Sequence, residues 1–337
     1  MSKNKCLIIA EIGVNHNGSL KIAKKLIDTA KNAGCDYVKF QSFKSDNLVR
    51  ENLKLVNYQK KNLKKNITQI KMLKNLELSE AKHKIIIKYC KRKKISFLSS
   101  PFDNESLDLL FKLKSFNIKI ASGEITHYAL LKSAAKKAKK IFLSSGMSNL
   151  NEIKNALKIL KKYGPKKKEI YVLHCHSDYP TKINDVNLRA MSTIKKKMNI
   201  EVGYSDHTLG KETSIAAIAM GAKVIEKHIT LNKKMKGPDH AASMEPKKFY
   251  EFVKSLRNTE ILLGSDKKNP TLNEMKIRKL TRKSIVAKSK INKGEIFNEN
   301  NIISKRPEGG IPAIFWPKII GKKSKHNFKK NDYIKIK

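Results

Sequence analysis

The chain has few cysteines, a single tryptophan and no long apolar run. No two cysteines have the Cys-x-x-Cys spacing of a zinc or redox site, so we interpret them as reduced packing residues of a cytoplasmic protein. They are Cys6, Cys35, Cys90 and Cys175. No stretch approaches the roughly 20 apolar residues that a membrane span needs, and the apolar segment 6–10 is too short for a signal peptide. These absences predict a cytoplasmic protein with no membrane partner.

Acidic side chains are also scarce. The chain carries 73 lysines and arginines against 29 aspartates and glutamates, a formal net charge of +44 at pH 7. Arginine supplies only seven of these cations, although proteins that read bases and phosphates favour the arginine fork. Because the lysines are spread over every predicted helix, we expect no nucleic-acid partner. The excess charge instead predicts good solubility and attraction of small anions.

Short runs rich in isoleucine, valine and phenylalanine alternate with longer amphipathic segments through residues 1–265. Eight runs are predicted strands: 6–10, 36–40, 95–98, 117–120, 140–143, 170–173, 200–203 and 222–225. The predicted helices include 19–33, 79–93, 104–114, 128–138 and 150–163, with Ser79, Asn104 and Asn149 among their N-caps. Eight β/α units over roughly 250 residues predict a (β/α)8 TIM barrel. The long connection 46–78 predicts extra helix near the active face.

The composition changes after residue 265. We expect a TIM-barrel catalytic domain at 1–265, a linker at 266–281 and a small module at 282–337. The module has short β-like pieces at 284–287, 302–304 and 332–336, with a turn at 292–295. A β-rich unit of about 55 residues is too small to be robust unless it docks on something larger.

Two histidines follow neighbouring predicted strands. His207 comes after the strand 200–203 and His228 after the strand 222–225, with an apolar helical segment at 212–221 between them. A right-handed crossover makes the two strands parallel, so both imidazoles belong to the edge where barrels bind ligands. Such a pair suits a divalent cation with open positions for water and substrate. Taken singly, each histidine is explained equally well as a satisfied core residue.

Polar residues stand at all eight predicted strand ends. In addition, two lysines lie within predicted strands, near their carboxyl ends. Burial of Lys39 or Lys119 without an anionic partner would cost several kcal/mol. One interpretation gives both lysines a phosphorylated or carboxylated substrate, with serine hydroxyls nearby. A second interpretation pairs them with protein carboxylates such as Glu11 or Glu124. A third use for such a lysine is the Schiff base of an aldolase.

Four further histidines have less certain places. We expect His174 to face into the barrel and His176 to lie in the loop that follows. His16 stands in a glycine-containing loop, where it serves turn chemistry or contacts a substrate. His240 remains ambiguous.

A series of motifs keeps its order along the whole chain. They are Glu11-Ile-Gly-Val-Asn15-His16-Asn17-Gly18, Lys39-Phe-Gln41, Ser99-Ser-Pro101-Phe102, Ser122-Gly-Glu124, Ser144-Ser-Gly146-Met147, Gly203-Tyr-Ser-Asp-His207-Thr208, Glu226-Lys-His228 and Gly237-Pro-Asp239-His240. These motifs resemble those of the sialic acid synthases, the family of N-acetylneuraminate synthase and N,N'-diacetyllegionaminate synthase. In the small module, Lys305-Arg306-Pro307 followed by Gly309-Gly310-Ile311 resembles the antifreeze-like (SAF) domain of that family.

The resemblance implies a reaction. Members of the family condense phosphoenolpyruvate with an acetamido-hexose to a nine-carbon 2-keto acid and release phosphate. The sugar would be N-acetylmannosamine, giving N-acetylneuraminate, or 2,4-diacetamido-2,4,6-trideoxy-mannose, giving N,N'-diacetyllegionaminate. The segments 38–44, 122–126 and 237–240 look closer to the legionaminate branch.

The resemblance also implies a role for each site residue. Glu11 would act as the acid or base, with Glu124 as a second catalytic carboxylate. Phosphoenolpyruvate would be held by Lys39, Ser100, Lys119, Ser122, Ser144 and Ser205. The sugar would be bound by Glu124, Tyr179, Asp239 and Arg306. A divalent cation, Mn²⁺ or else Mg²⁺ or Co²⁺, would sit on His207 and His228 and polarise the sugar aldehyde.

Arg306 belongs to the small module, which in this family reaches the active site of the other subunit. The resemblance therefore implies a domain-swapped homodimer. The chain departs from the family pattern in two places. His176-Ser177-Asp178 stands before Tyr179-Pro180 where the family often has threonine and asparagine or glutamate, and Glu308 stands where a small residue is usual.

Two alternative functions each leave part of the sequence pattern unexplained. A metal-dependent aldolase or hydrolase on the same barrel is the main alternative, but a hydrolase would show more histidine and aspartate ligands. A nonenzymatic polyanion binder would leave the polar strand ends unexplained. Release of phosphate from phosphoenolpyruvate in the presence of an acetamido sugar separates the three.

Overall fold

The computed structural model describes residues 5–55, 60, 62, 67–164 and 169–336. The chain forms two compact units, Met1–Gly264 and Ser265–Lys337. In the first unit eight parallel strands follow one another in sequence order around a closed barrel, which confirms the predicted TIM barrel. The strands are β1 Leu7–Gly13, β2 Tyr37–Ser42, β3 Ser96–Pro101, β4 Asn117–Ile120, β5 Lys140–Ser144, β6 Glu169–Cys175, β7 Glu201–Asp206 and β8 Val224–His228.

Ten helices of the first unit lie in the described part of the chain. They are α1 Leu20–Ala33, α2 Ser45–Leu48, α3 Gln69–Lys74, α4 Glu80–Lys93, α5 Asn104–Lys112, α6 Tyr128–Lys137, α7 Leu150–Tyr163, α8 Arg189–Met198, α9 Glu212–Ala219 and α10 Pro246–Leu263. The short helices α2 and α3 fall in the connection 46–78 or at its edge, where extra helix was expected. Residues 56–59, 61 and 63–66 of that connection lie outside the described residues.

Several helices begin at a capping side chain. The side chain of Ser79 accepts a hydrogen bond from the backbone N–H of Lys82, and Asn149 forms a capping box with Glu152. The cap predicted at Asn104 is wrong, because the N-cap of α5 is Asp103. An aspartate and an asparagine stand side by side there, and the carboxylate of Asp103 also accepts from the backbone N–H of Lys44 at 3.0 Å. That tertiary contact is invisible in the local sequence.

Most strands run past their predicted carboxyl ends. β1 continues to Gly13, β6 to Cys175 and β8 to His228. A search for apolar runs stops at the first polar residue, whereas the hydrogen-bonded ladder of a barrel continues into its polar rim. The consequence is that most of the candidate site residues are anchored on strands.

An apolar layer fills the barrel below these polar ends. Its buried members are Ile9, Tyr37, Leu98, Phe142, Leu173 and Val224. A separate, larger core packs the outer faces of the strands against the helices. This apolar layer fills the described barrel on the amino-terminal side of the polar strand ends, so ligands reach those strand ends from the carboxyl end.

The second unit is small and rich in β structure. Two strands, β9 Ser284–Ala287 and β10 Ile302–Lys305, pair antiparallel, and eight buried residues form its own core. The predicted linker contains a helix, α11 Leu272–Thr281, which starts with a capping box of Thr271 and Glu274. The predicted piece 332–336 supplies only an isolated bridge, between Val286 and Tyr333.

Across the described residues of both units, no helix is long and apolar enough to cross a membrane. All four cysteines are free and buried, as the sequence predicts.

Candidate active site

A cavity of about 470 Å³ opens at the carboxyl end of the barrel. Its lining includes every proposed site residue of the first unit: Glu11, Lys39, Ser100, Lys119, Ser122, Glu124, Ser144, Tyr179, Ser205, His207, His228 and Asp239. The structure therefore brings together side chains that come from eight strands and the loops that follow them.

The two strand lysines converge on one carboxylate. Nζ of Lys119 lies 2.8 Å from Oε1 and 3.1 Å from Oε2 of Glu226. Nζ of Lys39 lies 3.0 Å from Oε1 of Glu226 and 3.2 Å from Oε2 of Glu11. All four side chains are at most 6% exposed. Both lysines are thus paired with protein carboxylates, but their shared partner is Glu226 and not Glu124.

Burial and pairing shift the pKa values of this cluster in opposite directions. Burial raises the pKa of Glu11 to about 8, although the charge of Lys39 opposes it. Burial also acts to raise the pKa of Glu226, but the charges of Lys119 and Lys39 hold it well below its usual range. For Lys39 the lowering by burial is outweighed by Glu11 and Glu226, which raise its pKa. Burial lowers the pKa of Lys119, against the charge of Glu226. Because Glu11 with a pKa of about 8 is mostly protonated at pH 7, the cluster carries less negative charge than its two carboxylates suggest, which favours an incoming anion.

Serine hydroxyls surround the lysines. Ser205 donates to Oε1 of Glu226 at 3.0 Å, and the hydroxyl of Ser122 accepts from the backbone N–H of Gly146 at 3.1 Å. The hydroxyl of Ser100 is buried and has no hydrogen-bond partner among the described residues. A side chain at position 146 would collide with the hydroxyls of Ser177 and Ser122, so glycine keeps this wall open. Unused hydroxyls beside ammonium groups are suited to phosphate and carboxylate oxygens.

The two histidines predicted as metal ligands face the same cavity. The ring centroids of His207 and His228 are 5.5 Å apart, and both residues are 7% exposed. Burial lowers the pKa of His207 to about 4 and that of His228 well below its usual value, so both rings are neutral at pH 7. Nδ1–H of His207 donates to the backbone carbonyl of His176, so the lone pair is on Nε2, which lies 3.4 Å from the hydroxyl of Ser205. Tyr179 packs on this pair, with its ring centroid 4.1 Å from that of His207.

This pair fits an open cation site. Neutral imidazoles are common ligands of divalent ions, and the buried Nδ1 of His228 has no hydrogen-bond partner in the described chain. In residues 5–55, 60, 62, 67–164 and 169–336, no group of three or more histidine, cysteine, aspartate or glutamate side chains is placed to hold a metal. Any cation here would depend on water or substrate for its remaining ligands.

The cavity also has a polar part and an apolar part. Asp239 is 7% exposed, and burial raises its pKa to about 6. Oε2 of Glu124 lies 2.8 Å from Nδ1 of His127. The connection between β2 and α4 contributes an apolar wall of Leu48, Val49, Met72, Leu73 and Leu76.

Two histidines left open by the sequence hold the loops around the cavity. The ring of His240 lies 2.7 Å from the hydroxyl of Thr230 and 3.2 Å from Oδ1 of Asn17, which joins the loop after β1 to the loop after β8. His16 is fully buried and accepts from the backbone N–H of Gly18 at 2.9 Å, which is turn chemistry.

The expectation that His174 faces into the barrel is wrong. Cys175 is the residue of β6 that lines the cavity, and the adjacent His174 points to the other face, where Nε2 lies 3.0 Å from the backbone carbonyl of Val186. His176 follows the end of β6 and is a loop residue, as predicted. Arg306 follows β10 in the second unit and is exposed, and its role stays a prediction.

Glu226 belongs to one of the family motifs, but the sequence prediction gave it no role in the site. It lies two positions before His228 on β8, so strand alternation puts both side chains on the same face. That spacing was sufficient to place the carboxylate in the cavity. Its pairing with lysines from β2 and β4 required the closed barrel.

Comparison with known proteins agrees with this geometry. Residues 26–268 match the model of the NeuB family, and residues 282–337 match that of the SAF domain. The chain is 47% identical to N,N'-diacetyllegionaminic acid synthase of Campylobacter jejuni over 98% of its length and 99% of that protein. It is 36% identical to human N-acetylneuraminate-9-phosphate synthase over 95% of this chain and 89% of that protein.

A solved structure with a similar fold is the N-acetylneuraminic acid synthetase of Leptospira borgpetersenii in complex with citrate. It superposes with a TM-score of 0.72 at 34% identity, over 81% of this chain and 90% of that one. Most of this chain thus has the fold of that synthetase. This chain belongs to the NeuB family and carries a SAF domain.

Proposed function

We propose that the chain condenses phosphoenolpyruvate with an acetamido-hexose to a nine-carbon 2-keto acid and releases phosphate. The observation that carries this proposal is the presence in one cavity of two buried lysines and the unpaired hydroxyl of Ser100 with two neutral imidazoles. The first group suits the phosphate and carboxylate of phosphoenolpyruvate. The second group suits the carbonyl end of a sugar with a bound cation.

The proposed reaction balances with water as the third reactant. C3 of phosphoenolpyruvate forms a bond to the sugar aldehyde carbon, whose oxygen takes a proton and becomes a hydroxyl. Water adds to C2 and loses one proton, and when the C–O bond to phosphate breaks, the new C2 hydroxyl gives its proton to the departing phosphate and becomes the ketone. Glu11 lies beside Lys39 on the cavity floor, where we assign it the transfer of these protons.

We propose that His207 and His228 hold the divalent cation, Mn²⁺ or else Mg²⁺ or Co²⁺. When bound, such a cation supplies Lewis acidity at the aldehyde oxygen. Lys39 and Lys119 neutralise the phosphate and carboxylate, while Asp239 and Glu124 orient the sugar hydroxyls and amides. Tyr179 closes the space beside the imidazoles.

The apolar wall favours a particular sugar. A hydroxymethyl group facing Leu73 or Met72 would lose its hydrogen bonds to water, whereas the methyl group of a 6-deoxy sugar and the acetamido methyls would gain apolar contact. We therefore propose 2,4-diacetamido-2,4,6-trideoxy-mannose as the substrate, giving N,N'-diacetyllegionaminate. N-acetylmannosamine, giving N-acetylneuraminate, is the second candidate.

Phosphate release tests both the reaction and the sugar. The purified chain is incubated with phosphoenolpyruvate, Mn²⁺ and either sugar, and we expect kcat/KM to favour the trideoxy sugar by about 10- to 100-fold, the usual worth of one small group in an apolar pocket. Met72→Gln should reduce that preference, while Leu53→Gln, 46% exposed in the same connection and absent from the cavity lining, should leave it unchanged. Absence of phosphate with both sugars contradicts the proposal, and release without any sugar favours a hydrolase.

We also propose the domain-swapped homodimer in which Arg306 completes the partner's site. Subunit mixing tests this arrangement. His207→Ala and Arg306→Ala chains are each inactive on this proposal, but a mixed dimer has one intact site, which pairs the wild-type His207 of one chain with the wild-type Arg306 of the other. Activity should appear on mixing after dissociation. Mixtures that remain inactive, although mixed dimers form, contradict the exchange.

A further inference from the structure

Side chains at the carboxyl ends of β7 and β8 alternate between the cavity and the outer face of the barrel. His207 and His228 line the cavity. Asp206 and Lys227, one position before each, point to the other face and are 0% and 2% exposed. They are partners in the strand register, and Nζ of Lys227 lies 3.0 Å from Oδ2 of Asp206. A buried ion pair thus stands directly behind the two imidazoles.

The ammonium group of Lys227 is fully used by this arrangement. Besides Asp206, it donates to the backbone carbonyl of Thr208 and, at 3.0 Å, to that of Gly210. It also lies 5.7 Å from the centroid of the Phe252 ring on α10. Two of its three donors therefore hold the backbone of the turn that follows His207.

The carboxylate of Asp206 holds the same turn from the other side. Oδ1 accepts from the backbone N–H of Thr208 at 2.8 Å and from its hydroxyl at 2.7 Å. Oδ2 accepts from the hydroxyl of Ser214 on α9 at 2.6 Å. The turn 207–210 is consequently bonded at both its N–H and carbonyl groups to two charged side chains from the strands below it.

We propose that Asp206 and Lys227 are positioning residues that fix the orientation of the His207 imidazole. Their hydrogen bonds hold Thr208, the residue next to His207, while Nδ1–H of His207 is held by the carbonyl of His176. The ring is restrained from both ends, so Nε2 is aimed into the cavity before any ligand arrives. This inference rests on the proposed role of His207 as a cation ligand.

The test compares variants that remove charge from one or both members of the pair. Asp206→Asn and Lys227→Met each leave one buried charge without its counterion, so both should lower stability. The double variant Asp206→Asn with Lys227→Met has no unpaired charge and should regain most of the thermal stability. The amide oxygen at position 206 still accepts from Thr208, but the carbonyls of Thr208 and Gly210 lose the donor that Lys227 supplied. The Mn²⁺ affinity of the double variant should therefore still be weaker than wild type by about 10- to 100-fold, the usual effect of losing a residue that supports a metal ligand.

Mn²⁺ binding is measured on the full chain without substrates, by electron paramagnetic resonance of the free ion. Asp103→Asn is the matched control, because Asp103 is a buried carboxylate that accepts from the backbone of Lys44 and Ser106 far from this turn in the sequence. It should lose stability and keep its Mn²⁺ affinity. Wild-type Mn²⁺ affinity in the folded double variant overturns the proposal.

A second measurement separates this inference from the proposed cation site. If the wild-type chain binds no Mn²⁺, the cation assignment fails, and nitrogen-15 NMR of the His207 ring then decides. The wild-type ring should carry its proton on Nδ1, and the double variant should show the other tautomer appearing. An unchanged tautomer overturns the positioning role. If the double variant does not fold, Ser214→Ala removes one hydrogen bond to Asp206 and serves both measurements, with a smaller shift in the same direction.

Discussion

Lys119 and Glu226 are joined by two hydrogen bonds across the floor of the cavity, at 2.8 and 3.1 Å. Because Lys39 shares the same carboxylate, Glu226 stands where two ammonium groups would otherwise repel each other. It therefore keeps the lysines charged and in place before a substrate anion binds.

Glu226→Gln should make the protein depend on anions for its stability. The amide keeps the shape of the side chain but removes its charge, and breaking a buried ion pair in this way costs about 3–5 kcal/mol. The melting temperature should fall, and phosphate or phosphoenolpyruvate should restore more of it than in the wild type. Thermal unfolding with increasing phosphate measures this response. Glu260→Gln, which alters an ion pair with Arg257, is the control, and an equal phosphate response in all three proteins contradicts the argument.

Ser100→Ala should weaken substrate binding without destabilising the chain. The buried hydroxyl has no hydrogen-bond partner in the described structure, so its removal should leave the free energy of unfolding unchanged or raise it by about 1 kcal/mol. Loss of a hydrogen bond to a charged substrate should raise the KM for phosphoenolpyruvate by about tenfold or more.

Ser42→Ala provides the opposite behaviour as a control. On the outer face of the barrel, the hydroxyl of Ser42 is hydrogen-bonded to the hydroxyl of Ser99 at 2.7 Å and to Nε2 of His83 at 2.8 Å. This variant should lose stability and keep its KM. Urea unfolding and steady-state kinetics on both variants give the comparison, and a KM increase only for Ser42→Ala would reverse the assignment of the two hydroxyls.

Arg257 should contribute to stability alone. Its guanidinium lies 2.7 Å from Oδ2 of Asp36 and 3.1 Å from Oε2 of Glu260, and donates to the carbonyl of Cys6 at 2.8 Å. These bonds tie α10 to the start of β1, at the end of the barrel opposite the cavity. Arg257→Met should lower the free energy of unfolding by about 3 kcal/mol, because two carboxylates lose a partly buried partner. Since the site is remote, kcat/KM of the folded fraction should not change, and a loss of activity with an unchanged unfolding curve contradicts this view.

The sequence predicted the barrel because each element has a strong local signal. All eight strands and the five helices given bounds are present, since apolar periodicity and N-caps such as Ser79 and Asn149 are properties of neighbouring residues. The predicted cap at Asn104 was wrong because Asp103, the adjacent cap-forming residue, also accepts a hydrogen bond from the distant backbone N–H of Lys44.

The sequence predicted which polar residues line the cavity, but not which of them form ion pairs with one another. The strand-end rule and the family motifs identified the polar residues of the cavity, Glu226 among them without a role, but not the apolar wall. Which carboxylate meets Lys39 and Lys119 depends on how four strands close around the barrel axis, and no local pattern encodes it. His174 was misplaced for a related reason, because the face of a strand residue depends on where the strand stays in register.

The stability of the chain should fall in mild acid because of His16 and His240. Burial lowers the pKa of each ring to about 4, with His83, Lys82 and His240 adding to the effect at His16. In the unfolded chain a histidine titrates near its ordinary pKa of about 6.5. Between that pH and about 4, each of these two rings is therefore protonated in the unfolded state but not in the folded state. The contribution of these two rings to stability is therefore complete above about pH 6.5 and falls by about 1.4 kcal/mol per pH unit for each ring as the pH decreases.

His16→Asn should flatten this dependence. The amide oxygen replaces Nδ1 as the acceptor for the N–H of Gly18, and the side chain no longer titrates. Far-UV circular dichroism in urea, at neutral pH and at a pH of about 5, measures the loss, which should be smaller in the variant by about 2 kcal/mol. His176→Asn, whose ring is 37% exposed, is the control and should keep the wild-type slope. An identical acid loss in His16→Asn and the wild type would show that the buried ring of His16 does not oppose protonation.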